Sequence, residues 1–474
     1  MLPDICKDIE PNFLLCDSAL EHIVTHFRRE LQAGLEQRGE DVAMIPSFVP
    51  GVPDGSEQGT FLALDLGGTN LRVCEVRLLG NHKFEMKQQK YKVSDELKEG
   101  EATVLLDYIA DSVDAFLTEI GSDVAPEKGE PLLLGFTFSF PVEQTAIDSG
   151  TLLTWTKGFN AKNAIGNDVV KLLNDAFERK HIHVRCSALV NDTVGTLLSR
   201  SYQHGPALIG AIFGTGTNGA YIDKTSTIKK LGEKHICELE ECGEHAGEYM
   251  VINTEWGAFD NKRQCLPVSI FDAKLDRMSI NPRKQAFEKM VSGMYLGEIT
   301  RNILLHLIDS NVLFGGYSTD VLNEHYGFDT SFVSAVEGAK TDEDVITAIT
   351  DILKVKRKYV EPRDVELVRW ATKLVAHRAA FLAATAIAAV VQLTEKHRRA
   401  EDKETIDVGV DGSVAQYLPG FETNVRVALR KLLGEAGEKR ITIGLAKDGS
   451  GVGAALTALQ AKKAIERSKK AAAK

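Results

Sequence analysis

Two segments of the chain repeat one design. FLALDLGGTNLRVCEV (61–76) and IGAIFGTGTNGAYI (209–222) each read as an apolar strand, a turn of Gly, Thr and Asn, and a second strand. Taken singly, either is simply a hairpin. Their repetition constrains the fold more, because two like turns from two halves of a chain can face each other across a cleft. The surroundings repeat as well. Strands are expected at 61–66, 71–78, 83–93, 132–140 and 183–190, with helices at Ala102–Ile120 and Ile165–Arg179. The second half restarts with strands at 207–213, 218–223, 406–410 and 441–446, and long helices at 283–309 and 363–394. Buried strands alternating with helices indicate an α/β architecture. Leu20, Ile23, Val24, Phe27, Leu31 and Leu35 recur at helical spacing, so 16–38 is expected to be a helix with one buried face. The tail QAKKAIERSKKAAAK extends a last helix with a basic end. No linker-like composition separates the halves, which places a boundary near 190–207 and two regions at 1–205 and 206–474.

Composition narrows the function classes. A chain of 474 residues suits two or three domains. Lys plus Arg is 56 against 67 Asp plus Glu, a net charge of −11 that speaks against general nucleic-acid or anionic-membrane binding. Seven scattered cysteines do not form a disulfide framework, and a reducing, cytoplasmic location is expected. Met1–Pro11 lacks the layout of a signal peptide. Ala379–Thr394 is the most apolar run but falls short of the roughly 20 residues that span a bilayer, so it reads as a core helix. Cys237 and Cys242 have no second pair nearby and make a poor zinc site. Cys74 reads as core, and Trp155, Trp256 and Trp370 as packing residues.

Four Gly-rich features carry possible phosphate chemistry. In Asp65-Leu66-Gly67-Gly68-Thr69-Asn70 the glycines let backbone N–H groups approach an anion, while Thr69 and Asn70 add side-chain donors. Asp65 has the chemistry to orient a hydrated Mg²⁺, and Arg72 to take a phosphate bidentately. The alternative is a hairpin with a satisfied Asp and a surface Arg. Gly214-Thr215-Gly216-Thr217-Asn218 has the same two readings. Gly412-Ser413 and Asp448-Gly449-Ser450-Gly451 each follow a strand and open a helix, which suits anion binding or an ordinary N-cap. Four such features together favour a nucleotide site.

DLGGTNLRV, LGFTFSFP, TLLTWTKGFNA, ALVNDTVGTL, IFGTGTNGAYI, NTEWGAFD, FEKMVSGMYLGE, VGVDGSV and AKDGSGVGAAL occur in the order seen in eukaryotic hexokinases. The chain resembles that family over roughly 20–460, and most closely its fungal glucokinase branch. The resemblance implies a two-lobed sugar kinase fold of the actin-like ATPase kind, each lobe with an RNase-H-like core around a central cleft. The small lobe would take about 61–190, with the helix after 448 packing back on it. The resemblance further implies sugar contacts from Ser139, Phe140, Thr156, Lys157, Asn191, Asp192, Asn218, Glu255 and Glu288. Carboxylates and amides suit a hexose because each hydroxyl both donates and accepts. Each residue also has an ordinary reading as a turn, a cap or a solvated charge. By the same resemblance, Asp192 is the base and Lys157 and Arg72 stabilise the transferring phosphoryl group. Asp65 holds Mg²⁺ through water. Gly67, Gly68, Thr69, Asn70 and Thr215 line the phosphates of ATP, with Gly412, Ser413 and Ser334 further along the nucleotide. The implied reaction is ATP-dependent phosphorylation of glucose, and of fructose or mannose in some relatives, by a monomer or weak homodimer without nucleic-acid or membrane partners. A glucose sensor on the same fold is the alternative. A chaperone or filament ATPase is disfavoured by the S-F-P and W-T-K-G-F segments.

Overall fold

The computed structural model describes residues 3–67, 70–120, 129–156, 158–241, 248–395, 405–446 and 448–472, without the side chains of 120, 238–241 and 467–472. The first repeat becomes a five-stranded sheet: β1 (Gln58–Leu66), β2 (Asn70–Gly80), β3 (Lys83–Lys92), β4 (Leu132–Phe138) and β5 (Val184–Val190), in the order β3-β2-β1-β4-β5. The second becomes β6 (Ile209–Phe213), β7 (Thr217–Lys224), β8 (Tyr249–Asn253), β9 (Ile406–Asp411) and β10 (Ile441–Leu445), in the order β8-β7-β6-β9-β10. A two-residue strand, Ile45–Pro46, extends its β8 edge. Both sheets pair their first three strands antiparallel and their last two parallel to the first. The repeat seen in the sequence is therefore a repeat of topology.

The helices that frame the site and core include α1 (Asp17–Glu36), α2 (Ala102–Ile120), α3 (Val169–Arg179), α4 (Asp192–His204), α5 (Ala286–Val291), α6 (Gly293–Asp309), α7 (Thr330–Gly338), α8 (Pro362–Thr394), α9 (Phe421–Lys439) and α10 (Gly449–Ala472). Two expectations need correction. The helix expected from Ile165 begins at Val169, because Asp168 caps it by accepting from the Val170 and Lys171 N–H groups at 2.8 and 3.1 Å. The helix expected over 283–309 is two, broken where Ser292 turns extended at φ −93°, ψ 154°. The break frees the α6 N–H groups of Gly293 and Met294, which bond the carbonyls of Gly214 and Thr215 at 2.7 and 3.2 Å.

α8 is 33 residues long, and its apolar window is 94% buried as the spine of the larger core. Its partners include α1, whose Leu20, Phe27 and Leu31 are fully buried. Truncating a buried leucine here to alanine costs about 2–5 kcal/mol.

α4 and α10 cross between the two sheets. A Cβ on Gly453 would lie 2.1 Å from the Gly195 Cα, so the backbones meet with no room for a side chain. α10 also lies on the first sheet, where Thr137 donates to the Ser450 carbonyl at 2.9 Å. α4 is tied to the second sheet by Arg200, which pairs bidentately with Asp407 of β9 at 2.7 and 2.8 Å. Each helix is thus fixed by tight packing at one point and by polar bonds at another.

Candidate active site

The polar cluster beside β7 is built from four segments. Asn218 is the second residue of β7, and Asn253 ends β8, which pairs with it. Asn218 Nδ2 donates to Asn253 Oδ1 at 2.8 Å and to Glu255 Oε1 at 3.2 Å; Asn253 Nδ2 donates to the same Glu255 oxygen at 2.8 Å. Glu255 holds a left-handed backbone (φ 57°), a conformation costing about 1 kcal/mol or more in a non-glycine residue. Glu288 stands in the first turn of α5, and its Oε2 accepts from the Thr217 N–H at 3.0 Å. Gln285, the N-cap of α5, is left-handed as well (φ 56°). Its Oε1 is buried without a hydrogen-bond partner and would lie 3.2 Å from a Cβ on Gly257. An unmet buried acceptor costs about 1–3 kcal/mol, which a ligand hydroxyl would recover.

The next residue holds this helix in place. Lys289 is buried, and its Nζ donates to Asp276 Oδ1, Ser279 Oγ and the Asn281 carbonyl at 2.8, 2.9 and 2.8 Å. Arg263 also pairs with Asp276 at 2.6 Å. Trp256 is fully buried and donates to Thr217 Oγ1 at 3.2 Å, a packing residue as expected.

From the first sheet, Asn191 caps α4: its Oδ1 accepts from the Thr193 N–H and Oγ1 at 2.9 and 2.6 Å. The carbonyl is committed to the cap, so what Asn191 can offer a ligand is its amide donors. Asp192 is the first residue of α4, where a carboxylate suits the helix dipole. Ser139 and Phe140 follow β4. The Phe140 ring is buried among Phe138, Trp155 and Phe159, with centroids at 4.7, 4.9 and 5.2 Å, so it serves packing and only its backbone is left to meet a ligand. The same cluster binds this loop to the one bearing exposed Thr156, where the Phe159 N–H closes a turn onto the Thr156 carbonyl at 3.0 Å. Lys157, in that turn, lies outside the described residues, as do Gly68, Thr69 and Cys242.

On the phosphate side, Asp65 and Arg72 are opposite each other in the β1–β2 ladder and pair at 2.9 Å. Arg72 also reaches Asp448, before α10, at 3.9 Å. Gly67 N–H bonds the Asn70 carbonyl at 3.0 Å to close the turn. The second turn closes through Gly214 N–H and the Gly216 carbonyl at 2.9 Å, and its Thr215 is exposed. Gly412 (φ 106°) packs on this turn; a Cβ there would lie 2.6 Å from the Gly214 nitrogen. Ser413 is exposed at the start of a short helix, Ser413–Tyr417. Half-buried Ser334 lies within α7, whose first residue bonds the Gly293 carbonyl through Thr330 Oγ1 at 2.6 Å.

Asp411 links the two sides. It ends β9, and its Oδ1 accepts from the Gly412 N–H and Gln416 Nε2 at 2.7 and 2.8 Å. Burial raises its carboxyl above the ordinary value and the nearby Asp192 charge adds to this, while the Gly412 and Gln416 bonds and Arg72 oppose it. Asp192, Arg72 and Asp411 therefore share one electrostatic environment although they come from different sheets.

Sequence reasoning missed Gln285, Asn253 and Asp411. Gln285 and Asn253 each flank an assigned glutamate, and Asp411 precedes an assigned glycine; those positions were the only available signal.

Two sheets of one strand order, crossed helices between them, and carboxylates and amides gathered from both define a two-lobed sugar kinase. Family models described as hexokinase match residues 5–202 and 208–460. The chain belongs to the hexokinase family. A glucokinase of Aspergillus niger is 43% identical over 94% of this chain and 94% of its own length. Hexokinase-1 of Schizosaccharomyces pombe is 40% identical over 97% and 92%. A solved hexokinase of Schistosoma mansoni complexed with glucose matches with a TM-score of 0.83 at 36% identity, covering 97% of this chain and 98% of that one.

Proposed function

We infer that this protein transfers the γ-phosphoryl group of ATP to the 6-hydroxyl of glucose, the first chemical step of glycolysis. The observation that carries this reading is the cluster of Asn218, Asn253, Glu255 and Glu288 beside the unmet Gln285 carbonyl. Donors and acceptors at these positions suit a ring of hydroxyls, and an analogue missing one hydroxyl leaves a buried group unpaired. Ser139, Thr156, Lys157 and the amide of Asn191 complete the sugar site from the other sheet.

Asp192 accepts the hydroxyl proton as the nucleophile forms. Phosphoryl transfer asks mainly for positioning and charge stabilisation, so one carboxylate is sufficient base. Arg72, Lys157 and the backbone N–H groups of both Gly turns stabilise the transferring oxygens. Gly412, Ser413 and Ser334 serve the rest of the nucleotide. Asp65 fits Mg²⁺ held through water, being a half-buried hard-oxygen donor at a strand end beside the first turn. Held there, Mg²⁺ would supply charge neutralisation at the ATP phosphates. The free, buried thiols of Cys6, Cys74 and Cys186 support a reducing, cytoplasmic setting.

A coupled assay with glucose, fructose or mannose as acceptor, ATP and Mg²⁺ tests the reading. Glucose 6-phosphate formed only with both ATP and Mg²⁺ is the expected result, and the three rates define acceptor range. Binding of glucose without turnover would instead establish the sensor.

A further inference from the structure

We propose that the protein carries a second cation site, for a borderline transition metal of the Zn²⁺ class, formed by His26, Asp260 and Cys265, with Glu30 orienting His26 from outside. His26 and Glu30 stand one turn apart on α1, with His26 Nε2 3.2 Å from Glu30 Oε1. Asp260 and Cys265 come from the loop that follows Glu255. One ligand atom each from His26, Asp260 and Cys265 lies within 4.8 Å of the others. Glu30 is joined to the same group, since its Oε2 accepts from the Asp260 N–H at 3.3 Å.

The set is one imidazole, one thiol and one carboxylate, with the Glu30 carboxylate beside the imidazole. That mixture suits Zn²⁺ or Co²⁺ and disfavours Mg²⁺ and Ca²⁺, which take oxygen ligands. Asp260 is fully buried, and its two oxygens accept from the N–H groups of Gln264, Cys265 and Leu266 at 2.5, 3.0 and 2.7 Å. Those bonds fix its orientation, as outer bonds do for ligating carboxylates. A carboxylate has about four lone-pair directions, so one remains. The Cys265 sulfur lies within 4.8 Å of a ligand oxygen of that same carboxylate. A cation replaces the thiol proton: the sulfur–metal bond forms, the S–H bond breaks, and one proton leaves to solvent.

Asp260 lies in the same loop as Glu255, just beyond the turn Trp256–Ala258. A metal clamping that loop to α1 therefore acts on the segment bearing a sugar-site carboxylate. Its effect would be to stiffen the site rather than to enter the reaction.

Co²⁺ is the probe, added to full-length protein stripped with chelator. The expected result is stoichiometric binding with near-ultraviolet thiolate-to-cobalt absorption, reversed by Zn²⁺. Cys265→Ala abolishes that band. Glu30→Gln, at a partly exposed position that tolerates the change, weakens Co²⁺ binding roughly tenfold or more. Absence of the band in the parent protein overturns the proposal. So does a band that survives Cys265→Ala, which would assign the metal to another thiol. Full Co²⁺ affinity in Glu30→Gln would overturn the part of the proposal that gives Glu30 the task of orienting His26.

Discussion

The two Gly/Thr/Asn turns begin from similar sequence and end up held by different forces. The first is flanked by charge: Asp65 and Arg72 pair across the hairpin, and Arg72 reaches on to Asp448. The second is held by backbone: α6 donates two N–H groups to its carbonyls, and Gly412 fills the space beside it. On the proposed function the first turn would respond to ligand charge, its arginine exchanging a carboxylate for a phosphate. The second is a preformed surface whose shape depends on the absence of side chains.

The largest effect is expected where the first lobe supplies the chemistry itself. Asp192→Ala should lower kcat by about 10²–10⁴-fold, the usual range for a general base. Glucose binding, followed by tryptophan fluorescence, should persist because the Asn218–Glu255–Glu288 cluster is intact. Near-normal turnover would show that another group takes the proton, with Asp411 the first candidate.

The two turns themselves should separate next. Arg72→Met removes a charge-assisted donor and should lower kcat/KM for ATP by about 10²–10³-fold. Thr215→Val, on the second turn, removes one neutral hydroxyl and should cost no more than about tenfold. Equal losses would mean that both turns work through side chains, and the contrast would fail.

Backbone substitutions should reverse the ranking. Gly412→Ala places a methyl group 2.6 Å from backbone at φ 106°, so a loss of about 1–3 kcal/mol in stability and a raised KM for ATP are expected. Among the described residues, Gly67→Ala on the first turn meets only the Asn70 carbonyl, at 3.3 Å, and should be tolerated better in thermal melts.

Much of this contrast was invisible in the sequence. The strands and their repetition were legible because the repeat carries its own periodicity and turn residues; their order in the sheets was not. The burial of α8 was legible too, from its unbroken apolar run. The break at Ser292 was not read, although Ser292-Gly293 is a turn-type pair, because the helical spacing on both sides outweighed it; the N–H groups it frees bond a turn far away in the chain. The start of α3 was misplaced because Ile165 fits the helical pattern while Asp168 satisfies the N–H groups. Within the candidate site, Glu255, Glu288 and Asp192 were assigned by resemblance. Gln285 was missed because a glutamine inside the helix expected over 283–309 looks like an ordinary solvated residue. Only the fold shows its carbonyl buried and its backbone left-handed.

The smallest effect concerns what holds Glu288 on the second side. Burial pushes the Asp276 carboxyl up, but the bonded Lys289 ammonium, the Arg283 N–H and Arg263 outweigh it, leaving the carboxyl below its ordinary value. A depressed carboxyl contributes its stability above the unfolded value of about 3.9 and loses it as pH falls through the lower folded value. Stability should therefore hold down to about pH 4 on this group's account and decline below it. In Asp276→Asn that decline should be shallower, because the group no longer titrates, while the asparagine carbonyl can still accept from Lys289. KM for glucose should rise modestly at neutral pH as α5 loosens, with kcat nearly unchanged. The first-turn residues should be indifferent to this substitution: an altered KM for ATP in Asp276→Asn would mean that the two sides are coupled through more than the crossed helices.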